Sequence, residues 1–221
     1  MTDAPPVLDL GDLRRVTPID SGFGLSRGKP VDRHYIEDFL QRHAADIRGR
    51  VVEVAENGYT RRFGGDRVER SDILHVDDSN ERATLVGDLA EPNDLPTAAF
   101  DCFICTQTLT YIYDVQQAVE TIHRMLRPGG VLLVTVPGIS QMSPYDRDRW
   151  GEYWRFTAQS LGRLLGEPFG SANVEVEAYG NVLASTAFLQ GLCTDDLRRD
   201  ELDHRDQRYQ MLVAGRATKL R

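Results

Sequence analysis

Apolar positions recur along this chain in two alternating rhythms. Short runs that are apolar on consecutive positions occupy 51–55, 72–77, 83–88, 100–106 and 131–136. Runs of that length suit parallel strands covered on both faces, because neither face is left to water. Helical spacing appears twice. In 31–47 the apolar positions are Val31, Tyr35, Ile36, Phe39 and Leu40, with Pro30 ahead as a first-turn residue and Gly49 beyond as a stop. In 113–130, Val115, Ala118, Val119, Ile122, Met125 and Leu126 form one stripe that stops at Pro128 and Gly129. Strands alternating with helices predict an α/β, Rossmann-like doubly wound sheet, with right-handed crossovers and a ligand at the carboxyl ends of the strands.

The last third changes rhythm. Residues 173–180 alternate, 182–192 look helical and 209–219 read as another strand. The expected sheet therefore has seven strands, five of parallel type followed by an antiparallel C-terminal edge. Residues 1–29 mix Pro, Gly and Asp with few periodic apolar positions, and read as an arm able to fold over the cleft as a lid. Residues 30–221 are expected to form a single domain.

Composition narrows the function classes. The 221 residues are 41% hydrophobic, enough to bury a core. The formal charge of −8 arises from 34 acids and 26 bases spread along the chain, so no basic footprint marks a nucleic acid or an anionic membrane as partner. Cys102 and Cys105 form a CxxC inside an apolar strand run, and Cys193 stands apart. Without a second Cys/His pair they predict buried thiols and no metal. No run approaches the roughly 20 apolar residues of a membrane helix, and the start lacks a basic segment followed by an apolar one, so the cytoplasm is the expected location. A small-molecule substrate and a homodimer fit such a chain.

Certain motifs come in a telling order: Glu53 ending strand one, Asp77 in HVDDSN after strand two, GDL with Asp88 after strand three, then FDCFICTQTL and HRMLRPGG. In this order they resemble the class I S-adenosylmethionine-dependent methyltransferases, most closely the small-molecule type 11 group, over about residues 50–137. The resemblance implies S-adenosylmethionine as cofactor. An acid at the end of strand two accepts ribose hydroxyls, which makes Asp77 the ribose residue and Asp78 its fallback. Asp88 is placed for the adenine amino group and the Leu89 backbone for the ring. Thr106 and Gln107 stand at the mouth of strand four, facing the methionine portion and the substrate.

The sequence departs from the family at the first loop. The usual glycines at the second, fourth and sixth positions after the strand-one acid are here Ala55, Asn57 and Tyr59, with Gly58 out of phase. Asn57-Gly58 can still make a tight left-handed turn. Tyr59 is bulky, and covers, stacks on or displaces the cofactor. The short span to strand two, interrupted by Gly64-Gly65, predicts a short or distorted first crossover helix, with Arg61 and Arg62 beside it as solvated charges or an anion contact.

Two stretches could shape a substrate site. Arg27, Lys29, Arg33 and His34 gather at the start of the first helix, where cations suit an anionic group. Residues 145–157, taken as a loop, bring two Trp and two Tyr together, so Trp150 and Trp154 form either an aromatic wall or a satellite core. Methyl transfer needs alignment above all and a base only when the acceptor holds its proton. His34 and Tyr145 are the candidate catalytic groups, and His123 is structural. The leading expectation is methyl transfer to an oxygen or nitrogen of a small metabolite, a sugar or an intermediate of secondary metabolism. The rival is a methyltransferase-like fold that no longer methylates, either a ligand- or partner-binding module or a repurposed enzyme. A dinucleotide oxidoreductase is disfavoured by the missing GxGxxG.

Overall fold

A computed structural model of the chain describes residues 9–91 and 94–220. Part of the N-terminal arm, residues 1–8, lies outside the described residues, as do residues 92, 93 and 221. Seven strands form one sheet in the order β3-β2-β1-β4-β5-β7-β6. They are β1 (Gly49–Val54), β2 (Val68–His75), β3 (Leu85–Val86), β4 (Phe100–Thr106), β5 (Leu126–Pro137), β6 (Val174–Tyr179) and β7 (Leu212–Thr218). The first five pair in parallel, and β7 runs antiparallel between β5 and β6. The expected class and the antiparallel edge are both present.

Consecutive apolar residues are explained by the two layers they serve. Cys102 and Ile104 of β4 join the cluster under α1 (Val31–Arg42), while Phe103 and Cys105 join the opposite one, beneath α2 (Val115–Met125) and α4 (Ala158–Phe169). In β5, Leu132, Val134 and Val136 face α2 and α4, and Val131 and Leu133 face α1. A strand alternates its side chains between faces, so covering both demands apolar residues throughout. Cys102 and Cys105 are fully buried free thiols in this core, and desolvation pushes Cys105 up to about 12. Neither is poised for thiolate chemistry. His123 packs edge-on against Phe169 at 4.8 Å, as a structural residue does.

Several boundaries differ from expectation, each for a local reason. Strand two ends at His75, because Asp77 Oδ1 accepts from the Ser79 amide at 3.0 Å and turns the chain away. Pro30 is the N-cap of α1 rather than a first-turn residue, and Gly49 opens β1 at φ +63° instead of merely stopping a helix. Residues taken as loop contain α3 (Pro144–Trp150), capped by Ser143, whose side chain accepts from the Asp146 amide. Helix α4 has no counterpart in the sequence reading, although Leu161 and Leu165 repeat at helical spacing and are fully buried. The first crossover is indeed distorted: a π-type turn at Thr60–Gly64 runs into a 3-10 turn at Gly65–Arg67.

The described part of the arm packs against the C-terminal helical segment. The Ile19 amide donates to the Gln190 carbonyl at 2.8 Å, Pro30 bridges to Cys193, and Phe23 packs on Phe188 of α5 (Val182–Leu189). Among the described residues no helix is long and apolar enough to cross a membrane. Ile122 sits fully buried on the α2 stripe, so Ile122→Ala should lower unfolding free energy by about 2–5 kcal/mol. Denaturant titration should show the loss as a lower midpoint with an unchanged slope.

Candidate active site

A cavity of about 990 Å³ opens at the carboxyl ends of the parallel strands. Its floor is built strand by strand: Val54 and Ala55 after β1, His75 and Val76 at β2, Asp88 and Leu89 after β3, Thr106 and Gln107 after β4. Chain order reverses between β1 and β4, the point where open α/β sheets bind ligands. Trp150 of α3, Tyr153, Tyr111 and Asp146 form the far wall, and Arg33 of α1 reaches the rim.

Glu53 fixes the loop beneath. Only 1% exposed at the end of β1, it accepts from the Thr60 amide at 2.7 Å, the Thr60 hydroxyl at 2.8 Å and the Tyr59 amide at 3.3 Å. Burial nevertheless pushes its carboxyl up to about 7. It lies behind the loop and lines no part of the cavity. Turning falls to Ala55 at φ +69°, not to Asn57-Gly58, which have no left-handed dihedral. Asn57 is buried, donating to Ser71 Oγ at 3.0 Å and accepting from Arg82 at 3.3 Å, while Gly58 opens the helical turn that follows.

Tyr59 does not enter the cavity. Its ring, 8% exposed, packs beneath α1 and stacks on Phe63 at 5.9 Å. Its hydroxyl accepts from Arg33 at 2.7 Å. A bulky residue is tolerated there because the crossover turns it into the core layer on the α1 side. Arg62 pairs with Glu37 at 2.7 Å, one of the solvated charges expected, and Arg61 is exposed.

Other expected residues divide sharply. Asp88 lines the cavity while its Oδ1 accepts from the Ala90 amide at 2.8 Å, so it also serves the turn. Gln107, at φ +55°, donates from Nε2 to Thr135 Oγ1 at 3.3 Å, and the Thr106 carbonyl accepts from Thr108. Asp77 and Asp78 lie beyond the wall, where Asp77 faces His75 Nδ1 at 3.0 Å. Arg27 is held by Asp196 at 2.7 Å and does not reach the cavity. Trp154 is drawn to the β4–α2 connection, donating from Nε1 to the Ile112 carbonyl at 3.0 Å. The aromatic stretch thus splits, with Trp150 in the wall and Trp154 in the satellite packing.

Neither candidate catalytic group lines this cavity. Tyr145 is 62% exposed beneath the Arg149 guanidinium. His34 faces a separate depression of about 430 Å³, with Asp203 at 3.8 Å, and its pKa is lowered by burial. The helical turn explains this: Arg33 and Ile36 share the cavity side of α1, while His34, Asp38 and Arg42 share the other. Among the described residues no cluster of ligands could hold a metal ion.

Sequence reasoning missed His75, Tyr111 and Asp146. His75 closes β2 and meets the Trp150 ring edge-on at 6.3 Å. The Tyr111 hydroxyl donates to Asp146 Oδ2 at 3.3 Å, and burial followed by the Asp146 carboxylate pushes that phenol up. Only the position of His75 at the head of HVDDSN, two residues before Asp77, offered a signal.

This strand order and cleft define a class I methyltransferase fold, as the sequence motifs implied. Residues 38–134 match the model of a methyltransferase domain family. Over 100 residues the chain is 34% identical to a protein of Mycolicibacterium smegmatis described as a "probable S-adenosylmethionine-dependent methyltransferase", covering 45% of this chain. It spans about a third of that relative's length, 34%. Among solved structures, a SAM-dependent methyltransferase from Archaeoglobus fulgidus shares the fold at TM-score 0.55 and 11% identity, over 85% of this chain and 94% of that one. The N-methyltransferase NodS from Bradyrhizobium japonicum, in complex with S-adenosyl-L-homocysteine, does so at 0.52 and 14%, over 94% of each chain. The [4+2]-cyclase SpnF matches at 0.54 and 16%, over 93% of this chain and 87% of that one.

Two consequences can be measured. Ala55→Gly relieves a left-handed alanine and should stabilise the protein by on the order of 1 kcal/mol in thermal or denaturant unfolding. The folded Glu53 carboxyl titrates near 7 against an ordinary value of 4.5. Its contribution to stability is complete below the lower value and is lost as pH rises through the upper one. The unfolding free energy of the parent minus that of Glu53→Gln should therefore fall between those two pH values.

Proposed function

We infer that this protein transfers a methyl group from S-adenosylmethionine to an oxygen or nitrogen of a small metabolite, and that the 990 Å³ cavity at the strand-order reversal is where this occurs. That cavity carries the reading. Its wall offers, in strand order, what the parts of such a cofactor require. Asp88 and the Leu89 backbone meet the adenine, and the β2 end meets the ribose. There His75 lines the cavity, and Asp77, paired with it at 3.0 Å and more than half exposed, is the acid proposed for the hydroxyls. Thr106 and Gln107 flank the centre, and the left-handed backbone at Ala55 keeps the loop close to the floor. The cofactor supplies an electrophilic methyl on a sulfonium.

The chain's own residues align the acceptor. Trp150 and Tyr111 wall the side beyond β4, and the Tyr111–Asp146 pair gives one polar anchor. Enclosure and alignment contribute most to such a transfer. The three buried free thiols fit a reducing compartment, so the cytoplasm is proposed as the location. A sugar or secondary-metabolite acceptor rests on the sequence resemblance.

The rival reading, a fold that no longer methylates, draws on the missing glycines, and a cyclase shares this architecture. Ala55, Asn57 and Tyr59 together are its support in the sequence. With Tyr59 packed under α1 the loop does not fill the cavity, which favours cofactor binding. Calorimetric titration should show S-adenosylmethionine and S-adenosylhomocysteine binding with micromolar dissociation constants, about −8 kcal/mol. Asp88→Ala and Asp77→Ala should each weaken binding tenfold or more. No heat and no thermal shift at millimolar ligand rejects methyl transfer in favour of the repurposed fold.

A further inference from the structure

The amides at the start of the first crossover would ordinarily be the anion-recognising groups of such a loop. Here two are consumed: Tyr59 N–H and Thr60 N–H both point at Glu53. An anion entering from the cavity therefore meets another donor. Arg33 stands at the rim of the cavity, and its guanidinium forms one hydrogen bond among the described residues, Nη1 to the Tyr59 hydroxyl at 2.7 Å. An arginine carries five N–H donors in a planar fork, so the edge away from Tyr59 remains available to a carboxylate. The buried Tyr59 ring, stacked on Phe63 and 5.9 Å from the guanidinium carbon, fixes where that fork points. Glu56 shares the cavity wall with Arg33, and the carboxylates of Asp32 and, more weakly, Glu56 act on its charge. Opposite charges lining one cavity suit a zwitterion.

We propose that Tyr59 is a positioning residue. It holds the Arg33 guanidinium at the rim to receive the carboxylate of the cofactor's amino-acid end, with Glu56 beside it for the ammonium. This reassigns Arg33 from the methyl acceptor to the cofactor, and it rests on the reading of the cavity as the S-adenosylmethionine site. Tyr59, one of three residues standing where the usual glycines would be, thereby orients from below a side chain that replaces the backbone donors taken by Glu53.

The test compares two probes, S-adenosylhomocysteine and 5′-methylthioadenosine, which lacks the amino-acid carboxylate and ammonium. In the parent, calorimetry should show S-adenosylhomocysteine binding about tenfold to a hundredfold more tightly, with the Arg33–carboxylate contact supplying most of the difference. Tyr59→Phe keeps the ring and removes the hydroxyl. It should shrink that ratio severalfold while leaving the affinity for methylthioadenosine unchanged, which a merely structural loss would not do. Arg33→Gln should collapse the ratio, and Tyr59→Phe in the Arg33→Gln background should add nothing further. An unchanged ratio in Arg33→Gln overturns the proposal. A collapse in Arg33→Gln with none in Tyr59→Phe overturns the role of Tyr59. Should Tyr59→Phe fail to unfold cooperatively, the Arg33→Gln ratio alone decides the carboxylate contact, and Tyr59→Trp, which also lacks the hydroxyl, decides the positioning. Failure of both probes to bind the parent overturns the cofactor reading itself, and with it this inference.

Discussion

A buried carboxylate must find donors, and at the end of β1 that requirement organises the cleft. Glu53 gathers the Tyr59 and Thr60 amides and the Thr60 hydroxyl. Three donors from one turn, drawn back onto a strand end, force the chain to reverse within a few residues. Ala55 bears the reversal at φ +69°, and the strain there is tolerated because the turn after it is over-determined. The same tether decides that Tyr59 faces the α1 layer. Loop, floor and rim thus depend on a side chain that never reaches the cavity.

Helix α1 then distributes chemistry between two depressions. Side chains three and four apart share a face, and neighbours in sequence do not. Arg33 and Ile36 look toward the cleft, whereas His34, Asp38 and Arg42 join the ion pairs near β6, where Arg42 also pairs with Glu177 at 2.8 Å. A single α/β scaffold therefore keeps adjacent polar residues in separate environments. One set remains open to a ligand and the other is satisfied by protein charges.

The far wall follows from the connection after β5. In sheet order β2 and β5 are separated by β1 and β4, roughly 14 Å by ordinary strand spacing. Trp150, at the end of α3, nevertheless meets His75, at the end of β2. The connection must arch over the intervening strand ends, and the cavity is the space beneath it. Arg155 anchors the arch by donating to the Gln141 carbonyl at 2.9 Å, and Thr110 by donating to the Trp154 carbonyl at 2.6 Å.

The sequence by itself determined the layers. Apolar runs on consecutive positions require strands covered on both faces, and the α2 stripe requires a helix against them, because periodicity is a local property of the chain. It also determined that the first crossover would be irregular and that Asp88, Leu89, Thr106 and Gln107 would stand at strand ends, since position after a strand is countable. Helix α4 carries the same kind of local signal, with Leu161, Leu165 and Phe169 recurring at helical spacing and buried. Tertiary structure alone decided direction. That Tyr59 points down and Arg33 out, that His75 rather than Asp77 forms the wall, and that Trp150 crosses the cleft while Trp154 does not, all depend on partners distant in sequence. Side-chain direction beyond a turn is set by what the turn packs against, and no spacing rule encodes that.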